Sequence, residues 1–394
     1  MKCNLNRSLC KNYKIKIYPN DIQSDLIEKQ IHLFRYTYNW ALDRYMSYYN
    51  ETKKSISKFT LMKNYSDYRN QEENSWLRDL PLSTGRHAIL NVFDAFSMFY
   101  KKNNRFPVKK DLNMKKKRKV QRLNMRGDRL KFYSDGVKIE GIQSHINIKT
   151  FDISSVDKSK FYNCSISSDG YDYWLSFTVE QEPSIEEPIN LSDKNIGIDL
   201  GVRKLAVLSD GTEYVFPDSV NKLDKRIRRI YKRVKRDRVN RKNKSAESKI
   251  DYYDLPKTKG EINRERDLHY AYTRQTNIRH TFIHTMTREI VNKRPKNIVM
   301  ENIDVANLIR ISPSKLSHKI QLASFYTIRS QIEYKAREYG INVKTVERDY
   351  PSSQICSSCG FRRKKFSGHT FVCPSCGLRI DRDLNAALNL ENRA

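Results

Sequence analysis

Residues 195–216 read NIGIDLGVRKLAVLSDGTEYVF, and this stretch sets the fold class. Ile196, Ile198 and Leu200 alternate, which predicts a strand with one face in a core. A tight reversal follows at Gly201, then a second strand through LAVL, an SDG turn at 209–211 and a third short strand. Asp-Gly between alternating runs is a strong hairpin signal. Asp199 falls on the face opposite the isoleucines. Alone it could be a turn former before Gly201; on a buried sheet it is a candidate for chemistry.

Downstream, Leu223, Ile227, Ile230 and Val234 recur at helical spacing on a segment crowded with Lys and Arg. A polar loop is expected over 243–262 and a second basic helix over about 263–292. KNIVMENI then predicts a buried strand with Glu301 at its end, where a carboxylate is costly to bury unless it is paired or binds a metal. A helix over 321–339 and a strand over 341–347 lead to a cysteine cluster. The chain closes on DRDLNAALNL (381–390), an amphipathic helix with Leu384, Ala387 and Leu388 on one side and an aspartate as N-cap. Asp381 is expected to cap the turn or to pair with Arg382.

Upstream, YKIKIY (13–18) predicts a strand. Ile27, Ile31, Phe34, Tyr38, Leu42 and Tyr45 predict a helix over about 25–50, and Ile89, Phe93, Phe96 and Tyr100 one side of a helix over 84–100. Short alternating runs in 119–180, with SDG at 134–136 and 168–170, predict an antiparallel sheet or small barrel joined by the first strand. EQEPSIEEPINLSD (180–193) has the composition of a linker.

The charge narrows the partners. Lys and Arg number 75 against 45 Asp and Glu, a net +30 over 394 residues. Nucleic acid is the default partner of such a surface. If a third of that excess met phosphates, roughly ten contacts would make binding steeply salt-dependent. No run approaches the ~20 apolar residues of a bilayer span, and the N-terminus lacks a signal-peptide core, so a cytoplasmic protein is expected.

Four of the seven cysteines form C-x2-C-x13-C-x2-C: Cys356, Cys359, Cys373 and Cys376. Two Cys-x2-Cys turns, each followed by glycine, can close a tetrahedral site around one structural Zn²⁺. Asp199 on a first strand, Glu301 after a later one and Asp383 opening the last helix make the carboxylate layout of an RNase H-like nuclease site. There three carboxylates hold two Mg²⁺ (or Mn²⁺) ions for phosphodiester hydrolysis.

These segments together resemble the TnpB family, transposon-encoded nucleases that are compact relatives of the type V CRISPR effectors. GIDLGVRKLAVLSDG is similar to the family's first RuvC motif, IVMENIDV to the second and DRDLNAALNL to the third. YPSSQICSSCG and CPSCG resemble its zinc ribbon, SFYTIRSQIEYKAREYGINV the helix and strand before it, and QTNIRHTFIH its R-x4-H helix (Arg279, His284). YPNDIQ, FRYTYN and RFPVKK resemble its opening segments. The likeness spans essentially the whole chain. It implies an α/β multi-domain protein: a wedge β-barrel from 1–24 and 103–188, a helical recognition lobe over 25–102, and an RNase H-like RuvC domain over 189–394 with an inserted four-cysteine zinc ribbon at about 350–380. It implies an RNA-guided DNA endonuclease that binds a guide RNA from the transposon end, recognises a short target-adjacent motif and cuts double-stranded target DNA, one protein per RNA. Asp199, Glu301 and Asp383 are then its catalytic residues. Arg35, Asn39, Lys109, Lys110, Lys225, Arg228, Arg229, Arg233, Arg274 and Arg279 are candidates for nucleic-acid contact. His369 stands where the family often has arginine, so that ribbon contact is expected to differ, and a tail-dependent RNA contact is not expected. The alternatives are an RNA-guided repressor without cleavage, which predicts a lost carboxylate; a miniature CRISPR-associated effector; a transposase; and a plain zinc-ribbon protein, which leaves the carboxylates unexplained.

Overall fold

The computed structural model describes residues 10–102, 105–110, 112, 121–149, 161–180, 191–348, 350–363 and 368–394. The linker expected over 180–193 lies almost wholly outside them, as does the basic run 113–120. The chain divides into two compact units, 1–184 and 185–394.

The first unit begins with β1 (Cys10–Ile17) and three helices, α1 (Asp21–Thr52), α2 (Lys58–Asn70) and α3 (Leu82–Tyr100). The strands β2 (Gln121–Met125), β3 (Leu130–Phe132), β4 (Gly136–Ile139), β5 (Ile146–Asn147), β6 (Phe161–Ser168) and β7 (Tyr173–Glu180) follow. The predicted stripe of α1 is buried from Ile27 to Tyr45. α3 departs from expectation: Ile89 and Phe96 are buried, but Tyr100 is exposed and the inner face runs through Thr84, Gly85, Ala88 and Val92. Gly85 sets that rotation. A Cβ there would stand 2.3 Å from the Tyr65 ring, so only glycine lets the buried tyrosine lie against the helix.

Among the described residues no sheet closes into the expected barrel. β1, β7, β6 and β2 make an open antiparallel sheet, and β3, β4 and β5 a second one. Ile15, Ile17, Leu123, Ile166, Leu175 and Phe177 pack in one core with α1 and α3, so the apolar sheet face is covered by helices rather than closed on itself. The SDG turns do act as hairpins, joining β3 to β4 and β6 to β7. At the second, Asp169 Oδ1 accepts the N–H groups of Tyr171 and Asp172 while Gly170 takes a φ of +86°.

The second unit carries β8 (Ile196–Leu200), β9 (Ala206–Leu208), β10 (Glu213–Tyr214), α4 (Asp218–Ser248), α5 (Lys259–Asn292) and β11 (Asn297–Met300). It continues through α6 (Val305–Ile311), α7 (Ser314–Ala323), α8 (Phe325–Glu338), β12 (Asn342–Thr345), β13 (Thr370–Val372), β14 (Arg379–Asp381) and α9 (Arg382–Glu391). Its main sheet has the order β10-β9-β8-β11-β12. The hairpin strands are antiparallel and β11 runs parallel to both β8 and β12. Parallel strands need covered faces, and α5 and α8 supply Ile283, Met286, Ile290, Ile328 and Ile332 to that core.

Two expectations are corrected here. The loop placed at 243–262 shrinks to 249–258, because α4 persists to Ser248 and a capping box starts α5 early. Glu261 N donates to Thr258 Oγ1 at 3.2 Å and Thr258 N to Glu261 Oε2 at 2.7 Å. The single helix of 321–339 is two, broken at Ser324, whose φ is +56°. Among the described residues no helix is long and apolar enough to cross a membrane.

Candidate active site and cysteine knuckles

Asp199 is carried by β8, whose Ile196 and Ile198 are buried while the aspartate is half-buried on the other face. The parallel ladder pairs Ile196 with Ile298 and Ile198 with Met300. The next rung therefore sets Asp199 beside Glu301, at the same end of neighbouring strands about 5 Å apart. α9 docks on β8 through Gly197: a Cβ there would lie 2.0 Å from the Ala387 carbonyl oxygen, so glycine is what admits the helix. Asp383, one turn before Ala387, opens that helix. Two carboxylates thus arise from strand register and the third from helix docking.

The electrostatics are those of carboxyl groups crowded together and withdrawn from water. Burial pushes the Asp199 carboxyl up to about 8, helped by the charges of Glu301 and Asp383 and opposed by Arg382. Burial also raises Glu301, against a hydrogen bond from the Ser352 hydroxyl. Arg382 holds Asp383 Oδ1 through Nε at 3.1 Å and Nη2 at 2.9 Å. Of the two roles expected of Asp381, the cap forms and the pair with Arg382 does not. Asp381 caps α9 through the N–H groups of Asp383 and Leu384 and pairs with Lys204 at 3.1 Å. Oxygen-only donors, two of them held against ionisation by burial, suit a hard divalent cation such as Mg²⁺ or Mn²⁺. The oxygens of the three carboxylates do not all lie within 4.8 Å of one another, whereas the four cysteine sulfurs do.

The cysteines are assembled by local geometry. Gly360 N donates to Cys356 O and Gly377 N to Cys373 O, each glycine having a positive φ, +76° and +74°. The same turn is built twice. Cys356 Sγ lies 3.6 Å from Cys376 Sγ and Cys359 Sγ 3.5 Å from Cys373 Sγ. Four thiolates around one Zn²⁺ at ~2.3 Å stand roughly 3.8 Å apart, so the set fits a tetrahedral metal without rearrangement. Phe371, Leu378 and Ile380 pack beside the buried Cys356 and Cys373. Arg203 reaches His369 Nε2 at 2.6 Å, so this histidine is held within the unit.

The link between knuckles and carboxylates rests on residues that sequence reasoning missed. Of the predicted inner face of α9, Ala387 is buried but Leu384 and Leu388 are only half-buried, and Asn385, Ala386, Asn389 and Leu390 complete the buried side. Asn385 donates to Ile355 O at 2.6 Å and accepts from Ser357 N at 2.9 Å. Asn389 donates to Ser352 O at 2.8 Å and Ile355 O at 2.6 Å. Ser352 is the residue that holds Glu301. The two asparagines lie one turn apart on a helix, and asparagine is a poor interior helix former unless its amide has a partner, which is the signal that could have found them.

The candidate nucleic-acid residues divide by role. Asn39 and Lys110 exchange side-chain–backbone bonds of 2.7 Å each way. The Lys110 ammonium lies over Tyr38 and Phe34, where burial and then the Arg35 charge lower it to about 8. Lys109 pairs with Asp43 at 2.8 Å and Arg228 with Asp224 at 2.9 Å. Arg279 donates to Leu322 O at 2.8 Å and to the Ser324 hydroxyl, anchoring the break between α7 and α8. Lys225, Arg229 and Arg233, at four-residue spacing on α4, are exposed without an ion-pair partner among the described residues, as is Arg274. Like charges so spaced destabilise a helix, and a polyanion removes that repulsion.

A mixed sheet bearing three carboxyl side chains at one end, followed by paired cysteine knuckles that could hold a metal ion, defines a two-unit α/β protein. Three family models match it in order: "Helix-turn-helix domain" over 9–54, "Probable transposase" over 176–312 and "Cas12f1-like, TNB domain" over 325–390. In this chain the first span is β1 and α1. The chain is similar to "Putative RNA-guided DNA endonuclease" of Streptomyces pristinaespiralis, 25% identical with 96% of this chain and 88% of that protein aligned. It is also similar to "Putative RNA-guided DNA endonuclease InsQ" of Escherichia coli, at 26% identity over 96% of this chain and 90% of that protein. "TnpB-like protein L79" of Acanthamoeba polyphaga mimivirus is 23% identical over 96% and 72%. The chain belongs to the TnpB family.

Proposed function

We propose that this protein is a Mg²⁺-dependent, RNA-guided DNA endonuclease. The observation that carries the reading is the juxtaposition of Asp199 and Glu301 on adjacent parallel strands with Asp383 on the docked helix, in a chain of net charge +30. The names of its relatives support the same activity. The sheet order, an antiparallel hairpin continued by parallel strands, supports the RNase H-like RuvC reading of the second unit.

Asp199, Glu301 and Asp383 would hold two Mg²⁺ (or Mn²⁺) ions, and Cys356, Cys359, Cys373 and Cys376 one Zn²⁺. Bound at the carboxylates, the ion pair supplies an activated water and stabilises the leaving oxygen of a phosphodiester. The chain's own residues aim the donors. Ser352 fixes the Glu301 carboxylate, and Arg382 restrains Asp383. Asn385 and Asn389 bind the knuckle segment that carries Ser352. The cysteine ribbon thereby acts as a clamp on the second carboxylate. Lys225, Arg229, Arg233 and Arg274 contact phosphates of guide or target, α1–α3 serve as the recognition lobe, and the sheets of the first unit serve as the wedge domain.

A repressor without cleavage predicts a missing carboxylate, and all three are present. The test is cleavage of guide-matched double-stranded DNA by the purified protein–RNA complex. Cleavage should need Mg²⁺ and vanish in Asp199→Ala; persistence in that variant or in excess EDTA overturns the assignment.

A further inference from the structure

The first unit contains a cavity of about 420 Å³ between one face of α3 and the strand β2. That is within the roughly 300–1,000 Å³ of small-molecule sites. Leu82, Ser83, Arg86, His87 and Leu90 reach it from α3 at helical spacing, and Asn124, Met125 and Arg126 from β2 and the residue after it. Its chemistry is divided. Met62, Leu82, Leu90 and Met125 give an apolar wall, whereas the remaining groups are polar and net cationic.

The polar groups are not all used by the fold. Glu140 is engaged, taking Arg129 at 3.1 Å and the Ser83 hydroxyl, and Arg126 pairs with Asp128 at 3.1 Å. Arg86 is exposed and has no hydrogen-bond or ion-pair partner among the described residues. Asn124, in the cavity lining, donates its amide N–H to Asn91 at 3.0 Å, and its side-chain oxygen has no hydrogen-bond partner among the described residues. The His87 ring has no partner among the described residues either, and burial followed by the Arg126 charge moves it below the ordinary imidazole range. α3 opens on Pro81, which supplies no side-chain cap, so the positive end of a 19-residue helix lies at the cavity rim.

We propose that this cavity binds one unstacked nucleotide, a nucleoside 5′-monophosphate unit. Its phosphate lies against Arg86 and the start of α3, its base against the apolar wall with an edge at Asn124 and His87. An inorganic anion makes no use of the apolar wall, and an apolar ligand makes none of the Arg86 guanidinium; a nucleotide engages both. The nucleic-acid reading of the chain bears only on the source of the nucleotide, which is free or part of a bound strand.

The experiment titrates AMP into the full-length protein by calorimetry. Saturable binding is expected, with inorganic phosphate and adenosine each binding more weakly than AMP. Arg86→Ala should weaken AMP about tenfold at an unchanged melting midpoint, and Arg86→Lys should fall between. AMP affinity equal in Arg86→Ala, or phosphate as good a competitor as AMP, overturns the proposal. A single-stranded oligonucleotide carrying 2-aminopurine identifies the source: AMP-sensitive fluorescence assigns the pocket to a strand, and AMP binding without it to free nucleotide. The Asp199→Ala protein should bind AMP as wild type does, so failure of the nuclease assignment and failure of this pocket are separately visible.

Discussion

The two candidate metal sites sit in one unit yet are built by opposite means. In the cysteine knuckles each pair of ligands comes from three-residue spacing and a glycine turn, and the sulfurs already stand 3.5 and 3.6 Å apart. In the carboxylate cluster each ligand comes from a different element, brought together by a parallel register and by a helix seated on Gly197. At the first site a bound metal would reinforce the local turns; the second is formed at an electrostatic cost whether or not a metal is present. The fold tolerates Asp199 largely as the neutral acid.

The comparison breaks most severely at the cysteines. Structural zinc contributes on the order of 10 kcal/mol or more to small zinc modules, so Cys356→Ser or Cys373→Ser should unfold the ribbon. The check is hydrogen exchange over 352–381 together with zinc content. Slow exchange in a zinc-free variant would contradict the structural role.

At the carboxylates the expected effect has the opposite sign. Folded Asp199 keeps its proton to about pH 8, whereas in the unfolded chain it ionises near its ordinary 3.8. Between those values the unfolded state binds fewer protons, so metal-free protein loses stability as pH rises from about 4 to about 8 and levels off above. Asp199→Asn should stabilise the protein in EDTA at about pH 8.5 by on the order of a few kcal/mol, seen as a higher melting midpoint, with little gain at about pH 4. A variant less stable than wild type at the higher pH would show that the aspartate is not a strained group.

A smaller effect probes the connection between the sites. Asn389→Ala takes the side-chain donor from the Ser352 carbonyl, while the Ile355 carbonyl keeps Asn385, costing about 1–3 kcal/mol. Zinc should remain bound while guided cleavage drops, because Ser352 is released from its place beside Glu301. Equal loss of zinc and cleavage would place Asn389 in the ribbon's own stability instead.

The knuckles were legible in the sequence because a local turn needs only its own residues. So were the buried runs of β8 and β11 and the SDG hairpins. Four things were not. Whether the strands of 121–180 close or stay open depends on α1 and α3 covering one face, which no strand pattern reports. The inner face of α9 is hidden because Leu384 and Leu388 outweigh asparagines in any apolar periodicity, although the asparagines are what the ribbon's carbonyls need. The early start of α5 is written in Thr258 and Glu261, a capping box submerged in a polar run. The pairing of Asp199 with Glu301 follows from register, a property of two strands and not of either.

The central claim is that Asp199, Glu301 and Asp383 act as one divalent-metal site, and Mn²⁺ binding to the zinc-loaded protein–RNA complex with uncleavable matched DNA tests it most directly. Electron paramagnetic resonance should report about two bound Mn²⁺ per chain, with binding lost in Asp199→Ala at unchanged DNA affinity. The same Mn²⁺ occupancy in that variant would contradict the account.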